Sequence, residues 1–550
     1  MIINAKAVNM PDILLVQPPL RDFYLTAKRT IPYGLTSVAA ACEAAGFSVE
    51  ILDALATLRK RNIEWPTEMD YLKAFYGRED RSPFALFHRY RHFGYSFEHV
   101  GRMARLSGAY LVGISSLFTP YSGEAIETAE RIKIAHPTCR IVMGGHHPTE
   151  MPQHVMRCPA VDFVIRGDGE KALPLLAAAL KKDRRPEGIP GVVYRDKDGA
   201  VIMPEPHRLD DLADLPLPAA HLIRRRFYRR CNKGSAVIVA SRGCPGRCSY
   251  CCMRRSAARP YIRRPLGSVL AEIERAVARD NAGFIDFEDE NLSLDRGWFL
   301  ALLHEIVSRF NTAGLDLRAM NGLFPPSLDA EVVAAMSAAG FRTLNLSLGS
   351  SCPGQLKRFR RPDVRESFDN ALANARKYGL QAVGYVIAGA PNQTAQSSVE
   401  DLLYLAQRRV LAGVSIFYPA PGSPDYQDCR NSGILPHNVA LMRSSALPID
   451  HTTSRLQAAT LLRLGRISNF MKSLLDQNDR IPAAQPFTPG QILDPGDRTA
   501  AGIKLLGWFL LDGEIRGMAS DGKVFRHTIS TEVTGMFLEG LSKINLQGSR

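Results

Sequence analysis

The chain has no run of about 18 or more apolar residues, the length a membrane-crossing helix needs. The longest candidate, around Leu505 to Leu511, is far too short. There is also no small-residue cleavage site behind an apolar stretch at the N-terminus, where Met1 to Met10 carries little charge and runs straight into a strand pattern. We therefore expect no membrane span and a cytoplasmic protein. A disulfide framework is missing too. The ten cysteines are scattered apart from Cys244, Cys248, Cys251 and Cys252, and Cys42, Cys139, Cys158, Cys231 and Cys429 read as buried thiols. Cys252 and Cys352 fall near the expected site but are assigned to packing. Acidic residues are absent from Leu215 to Ala271, which holds thirteen Lys and Arg and contributes most of a net charge of +14. Such a tract is either a solvated basic face or a surface that draws anionic substrate groups. No nucleic-acid-binding module accompanies it, which argues against a nucleic-acid partner.

At 550 residues the chain exceeds one ordinary core and should hold several domains. Short apolar runs at Ile13 to Val16, Val49 to Leu52, Leu111 to Ile114, Ile141 to Met143 and Phe163 to Ile165 suit strands buried on both faces. Helical patterns at Leu35 to Ala45 and Glu124 to Ile134 fall between some of them. The alternation predicts an N-terminal doubly wound parallel sheet over residues 10–180, with ligands at the carboxyl ends of its strands. An aromatic- and Arg-rich insertion, about Thr57 to Arg105, is expected to form a small packed helical insert, with a lid over a ligand as the alternative. Residues 181–230 read as a linker with a hairpin around Asp198-Gly199.

Over 231–430 a second series places strands near Ala236 to Ala240, Phe284 to Phe287, Leu315 to Ala319, Thr343 to Leu348, Ala382 to Ile387 and Gly413 to Phe417. Helices between them predict a partial (β/α)6 barrel of the TIM type. Residues 431–550 should be a mostly helical α+β extension, with a helix over Leu456 to Leu475 and a hairpin within Gly513 to Thr531, and no recognisable chemistry.

Directly after the first barrel strand comes Ser241-Arg-Gly-Cys-Pro-Gly-Arg-Cys-Ser-Tyr-Cys. Cys244, Cys248 and Cys251 offer three thiolates from one loop and leave a fourth metal position without a cysteine. This C-x3-C-x2-C spacing, with an aromatic (Tyr250) before its last cysteine, resembles the radical S-adenosylmethionine (SAM) superfamily. The resemblance implies a 4Fe-4S cluster on the three cysteines, with the amine and carboxylate of SAM on the fourth iron. It also implies SAM contacts at Tyr250, at Asp289 and Glu290 in Phe287-Glu-Asp-Glu-Asn, at Gly389 in Val386-Ile-Ala-Gly-Ala-Pro, and at Pro421 in Tyr418-Pro-Ala-Pro-Gly-Ser. In Leu346-Ser-Leu-Gly-Ser-Ser the family's usual Glu after the glycine is replaced by Ser350, which puts a ribose contact there in question.

The N-terminal series is similar to the cobalamin-binding fold. Val112-Gly-Ile-Ser-Ser-Leu matches its S-x-L element, so Ser115 and Leu117 are expected against the nucleotide base. Met143-Gly-Gly-His-His-Pro-Thr matches its glycine turn, so Gly144 and Gly145 are expected along the nucleotide tail, with His146 and His147 as candidates to line the cofactor. Anchored on Gly34, the D-x-H-x-x-G motif of other cobalamin domains has Arg29 and Ile31 in place of Asp and His. The resemblance then implies a cobalt without a histidine on its lower face.

Together these resemblances imply a cobalamin-dependent radical SAM methyltransferase. It would transfer a methyl group by way of methylcobalamin to an unactivated carbon of a small-molecule or peptide substrate, possibly anionic. The electron would come from an external flavodoxin- or ferredoxin-type donor. Two alternatives stay open: cyclisation, ring contraction or oxidation without methyl transfer, and a non-catalytic protein that keeps the fold.

Overall fold

Four consecutive apolar residues, Ile13 to Val16, are all buried in β1 (Ile13–Gln17), because this strand is covered on both faces. It lies within a seven-stranded sheet in a computed structural model that describes residues 10–23, 31–230, 232–254, 261–477, 480–544 and 546. The chain forms two compact units. The first comprises Met1–Ile63, Arg91–Gly243 and Ala258–Asp286; the second comprises Glu64–Tyr90, Cys244–Ala257 and Phe287–Arg550.

In the first unit β1 pairs in parallel with β2 (Val49–Asp53) on one side and β3 (Leu111–Ser115) on the other. β4 (Arg140–Gly144) and β5 (Phe163–Ile165) continue the parallel sheet. The order 2-1-3-4-5 reverses direction between β1 and β3, which opens a crevice outside Gln17 and Ser115. Helices Tyr33–Ala44 and Gly169–Lys181 bury Leu35, Ala39, Leu173 and Leu176 in one core, and Ser122–Ala135 buries Ala125, Ala129 and Ile132 in a second. Each larger aliphatic side chain among these, such as Leu173, Leu176 or Ile132, contributes about 1.5–3 kcal/mol by leaving water.

The expected hairpin is present but does not stand apart as a linker. β6 (Val192–Arg195) pairs antiparallel with β5, and β7 (Val201–Ile202) pairs with β6, so together they extend the sheet. Burial of Val192 and Val193 explains the docking. β8 (Lys233–Ile238) and β9 (Ala282–Phe287) are neighbours in a separate sheet.

The insert expected to be helical at 57–105 does carry helical segments, Thr67–Leu72, Lys73–Tyr76 and Phe97–Ser107, but it carries strands as well. Lys60–Asn62 and Arg91–Phe93 join Leu20–Asp22 in a small antiparallel sheet within the first unit. Residues 64–90 instead belong to the second unit, where Asp80 is buried against the C-terminal hairpin Arg516–Met518 and Val524–Arg526.

In the second unit β11 (Thr343–Gly349), β12 (Gln381–Ala388) and β13 (Leu411–Ile416) form a parallel sheet; β10 (Asp316–Arg318) precedes them. All six strands expected of the second series, β8 to β13, are therefore present. Asp329 and Thr394 cap helices Ala330–Ala339 and Ala395–Gln407 by accepting from Val332 N and Ser397 N. The long helix Arg455–Asp476 begins with a capping box of Ser454 and Gln457. No described helix is long and apolar enough to cross a membrane.

Candidate active site

The cysteine loop is fastened at Ser249, which is buried between the last two cysteines of the motif. Its backbone N–H donates to Phe359 O at 2.9 Å, and its hydroxyl reaches Arg358 O at 3.2 Å and Asp425 Oδ2 at 3.1 Å. Asp425 N returns a bond to Ser249 O at 3.0 Å. The loop is thus tied both to the segment after β11 and to the helix Pro424–Asn431 after β13. Burial pushes the Asp425 carboxyl up to about 6.

Cys244, Cys248 and Cys251 are half-buried thiols. A Cβ added at Gly246 would lie 3.3 Å from Cys244 Sγ and 4.0 Å from Cys248 Sγ, so this glycine keeps the space beside both sulfurs clear of a side chain. Burial raises the Cys251 thiol to about 12, so holding it as a thiolate requires a cationic partner such as a metal centre. Among the described residues no three His, Cys, Asp or Glu side chains converge on a single-ion position. A four-iron cluster takes its cysteines at separate irons, so three thiols spaced along one loop, two of them beside Gly246, fit that donor set.

Tyr250 packs edge-on against Phe359, with 5.1 Å between ring centroids, and accepts from Arg361 Nη1 at 3.1 Å. Asp289 is buried and Glu290 half-buried just beyond β9. Gly389 has φ +75°, which only glycine adopts without strain, and a Cβ there would meet nothing nearer than 3.9 Å. Pro421 is buried beyond β13.

Ser350 departs from expectation. It is fully buried, its hydroxyl is bonded to Asp401 Oδ1 at 2.9 Å, and it accepts from Cys352 N at 3.1 Å. It forms a turn within the fold and does not offer its hydroxyl to a ligand. Asp401, which no motif marked, also accepts from Ser351 N and from Ser351 Oγ at 2.7 Å, and burial pushes it up to about 7.

At the carboxyl ends of the first unit's strands, Gly34 and Gly144 have nothing within 4 Å of a built Cβ. Gly145 sits at φ +123° with its Cβ position 2.5 Å from Ser116 O. Ser115 is half-buried, Leu117 is 41% exposed, and the buried Ser116 Oγ has no hydrogen-bond partner. Open backbone at two glycines and an unpaired buried hydroxyl suit a ligand with a polar tail. His147 is different: it is fully buried, with Nδ1 3.3 Å from Thr119 Oγ1 and Nε2 3.0 Å from His154 Nδ1. Burial lowers it to about 3, so it is a neutral packing residue whose two nitrogens are already engaged. Arg29 lies outside the described residues, as do Cys231 and Arg255.

Part of the basic tract is neutralised internally. Arg242 pairs with Asp168 at 3.3 Å and with Glu170, Arg264 pairs with Glu272, and Arg225 pairs with Asp280. Arg225 is half-buried, whereas Arg224, Arg226, Arg229 and Arg230 are exposed. The Arg242 pairs anchor the short strand Ser241–Arg242 that leads into the cysteine loop.

The B12 binding domain family matches residues 88–177, and the Radical SAM superfamily matches residues 238–405. The chain thus joins a B12 binding domain to a Radical SAM domain. Cobalamin and SAM are accordingly its cofactors, the latter with a 4Fe-4S cluster. This radical SAM enzyme is 26% identical over 385 residues to the uncharacterized methyltransferase PH0819 of Pyrococcus horikoshii, a match covering 68% of this chain and 82% of that one. It is 24% identical over 472 residues to the cytidylyl-2-hydroxyethylphosphonate methyltransferase of Streptomyces wedmorensis, covering 78% of this chain and 84% of that one. Both of these relatives carry the name methyltransferase. Its fold is similar to that of the radical SAM methyltransferase TsrM from Kitasatospora setae, with a TM-score of 0.60 and 21% identity over 76% of each chain.

Proposed function

We propose that the enzyme transfers a methyl group to an unactivated carbon of a small-molecule or peptide substrate, taking its electron from an external flavodoxin- or ferredoxin-type donor. The observation that carries this reading is the presence in one chain of both a three-cysteine loop with clear space beside its sulfurs and a glycine-lined crevice at a topological switch point. When bound, the cluster supplies an electron to the sulfonium of SAM and cobalamin supplies a methyl carrier. Cys244, Cys248 and Cys251 would hold the cluster, with Gly246 leaving room beside the sulfurs of Cys244 and Cys248. Asp289 and Glu290 would receive the SAM ammonium, and Gly389 would let the adenine approach the backbone. Gly34, Ser115, Leu117, Gly144 and Gly145 would hold the cobalamin nucleotide, with Ser116 as a further donor.

The test is anaerobic reconstitution with iron, sulfide and hydroxocobalamin, followed by mass spectrometry of small-molecule and peptide extracts incubated with SAM and a reductant. A product heavier by one methylene equivalent is expected. A product formed with no such gain would point to cyclisation or oxidation and refute methyl transfer. Exposed Arg226, Arg229 and Arg230 support an anionic substrate group; an unchanged KM after Arg229→Glu and Arg230→Glu would count against it.

A further inference from the structure

A positive charge is held against one of the three cysteines, on a side chain that no motif marked. Arg361 follows the helix Pro353–Arg358. One arm of its guanidinium, Nη2, is fixed at the end of β11 by Ser347 O and by Ser347 Oγ at 2.6 Å. The other, Nη1, lies 3.1 Å from the Tyr250 hydroxyl and 4.0 Å from Cys248 Sγ. The Tyr250 hydroxyl, as the acceptor, helps hold this arm at the loop. One cationic donor is thus held beside a single sulfur. Ser347 aims the fork, and the glycine at position 349 makes the approach possible, since a Cβ there would lie 3.1 Å from Arg361 Cδ.

We propose that Arg361, working with Tyr250, is a positioning residue that sets how readily the cluster accepts its electron. This rests on the reading that Cys244, Cys248 and Cys251 ligate the cluster. Adding one electron makes a cluster more negative, and a fixed cation with its N–H donor at a ligand sulfur stabilises the reduced form more than the oxidised form. Reduction therefore becomes easier without any change in the ligands. The guanidinium is directed at that sulfur and steadied by Tyr250, so the effect enters the cluster through Cys248.

The experiment uses the full-length protein, reconstituted anaerobically with iron and sulfide and titrated without SAM, with the reduced cluster followed by electron paramagnetic resonance. Wild type, Arg361→Gln, Arg361→Lys, Tyr250→Phe and Arg358→Gln are compared. Arg361→Gln is expected to keep its iron and to shift to a more negative potential, so that at a fixed poise the ratio of reduced to oxidised cluster falls roughly tenfold. Arg361→Lys should recover part of the shift, and Tyr250→Phe should give a smaller shift of the same sign. Arg358→Gln, which removes a nearby cation bonded to Asn392 O and not to sulfur, should leave the potential in place. An unshifted potential in Arg361→Gln overturns the proposal, as does an equal shift in Arg358→Gln. If Arg361→Gln does not load, an unshifted Tyr250→Phe overturns it instead. Failure of the underlying reading looks different: the wild type takes up no cluster, or loses none when the three cysteines become serine.

Discussion

Two adjacent glycines in the first unit should respond in opposite ways to the same small substitution. Gly145 has φ +123° and ψ −174°, a region that side-chain-bearing residues almost never enter, at a cost of about 1–3 kcal/mol. A Cβ there would also stand 2.5 Å from Ser116 O and 2.8 Å from Ser116 C, backbone atoms that cannot swing aside. Adding overlap to strain, Gly145→Ala should cost about 3 kcal/mol or more, a fall of roughly 6–12 °C in the melting temperature for a domain of this size. Gly144 is not at positive φ, and its built Cβ meets nothing within 4 Å. Gly144→Ala should therefore melt within about 2 °C of wild type, because a change without a clash is close to neutral. Yet that empty space is where we place the nucleotide tail, so Gly144→Ala should weaken hydroxocobalamin binding by roughly tenfold or more, about 1.4 kcal/mol. Differential scanning calorimetry of the apoprotein and equilibrium dialysis against hydroxocobalamin separate the two effects. Unchanged binding in Gly144→Ala would refute the placement, and an unshifted melt in Gly145→Ala would refute the strain argument.

Asp80 accepts from Ser82 N at 2.8 Å, Met518 N at 3.1 Å and His527 Nε2 at 2.9 Å, with Arg463 3.9 Å away. Asp80→Ala strands these buried donors and should destabilise by roughly 3–5 kcal/mol, read as an early calorimetric transition; a melt unchanged from wild type would exclude the clamp. Asp401 is raised from 3.8 to about 7 by burial, so its unfolded form releases a proton at lower pH than its folded form. Its contribution is fully present below about pH 4 and is lost as pH rises through about 7. From pH 5 to pH 8 this removes on the order of 3 kcal/mol, and Asp401→Asn should flatten that part of the urea-midpoint profile. A profile as steep as wild type in Asp401→Asn would refute the assignment. Cys252 is adjacent to the loop but is not one of the three proposed ligands, so Cys252→Ser should retain iron while Cys251→Ser loses the cluster. Iron analysis decides it, and loss in both would redraw the ligand set.

The buried strands are legible in the sequence because a parallel strand covered on both faces is a short apolar run, as Ile13 to Val16 and Ile141 to Met143 illustrate. The cysteine loop is legible because its ligands are neighbours along the chain. What escapes is whatever depends on distant partners. Lys60–Asn62 and Arg91–Phe93 are three-residue strands with no apolar alternation. The segment 64–90 is held by residues such as His527, 447 positions from Asp80, which no local periodicity could announce. His147 follows a glycine turn at a strand end, a place where a histidine can line a ligand. Its neighbours Thr119 and His154 come from other segments and use both of its nitrogens.

Ser350 is the most instructive departure. In the sequence it is a short hydroxyl standing where the family usually carries a glutamate. In the fold that hydroxyl is fully buried and bonded to Asp401, on helix Ala395–Gln407, which also holds Ser351 through its backbone and side chain. A glutamate at 350 would place a second carboxylate against Asp401, and two like charges in a buried site cannot both ionise without a heavy cost. The serine pair and Asp401 therefore belong together: the carboxylate is supplied from the helix that follows β12, and the turn after β11 is fixed from within. Arg361, anchored at Ser347 on the same strand end, then brings its charge to the cysteine loop. At β11 the structure thus holds a cation 4.0 Å from Cys248 Sγ, while the Ser350 hydroxyl is turned into the fold toward Asp401.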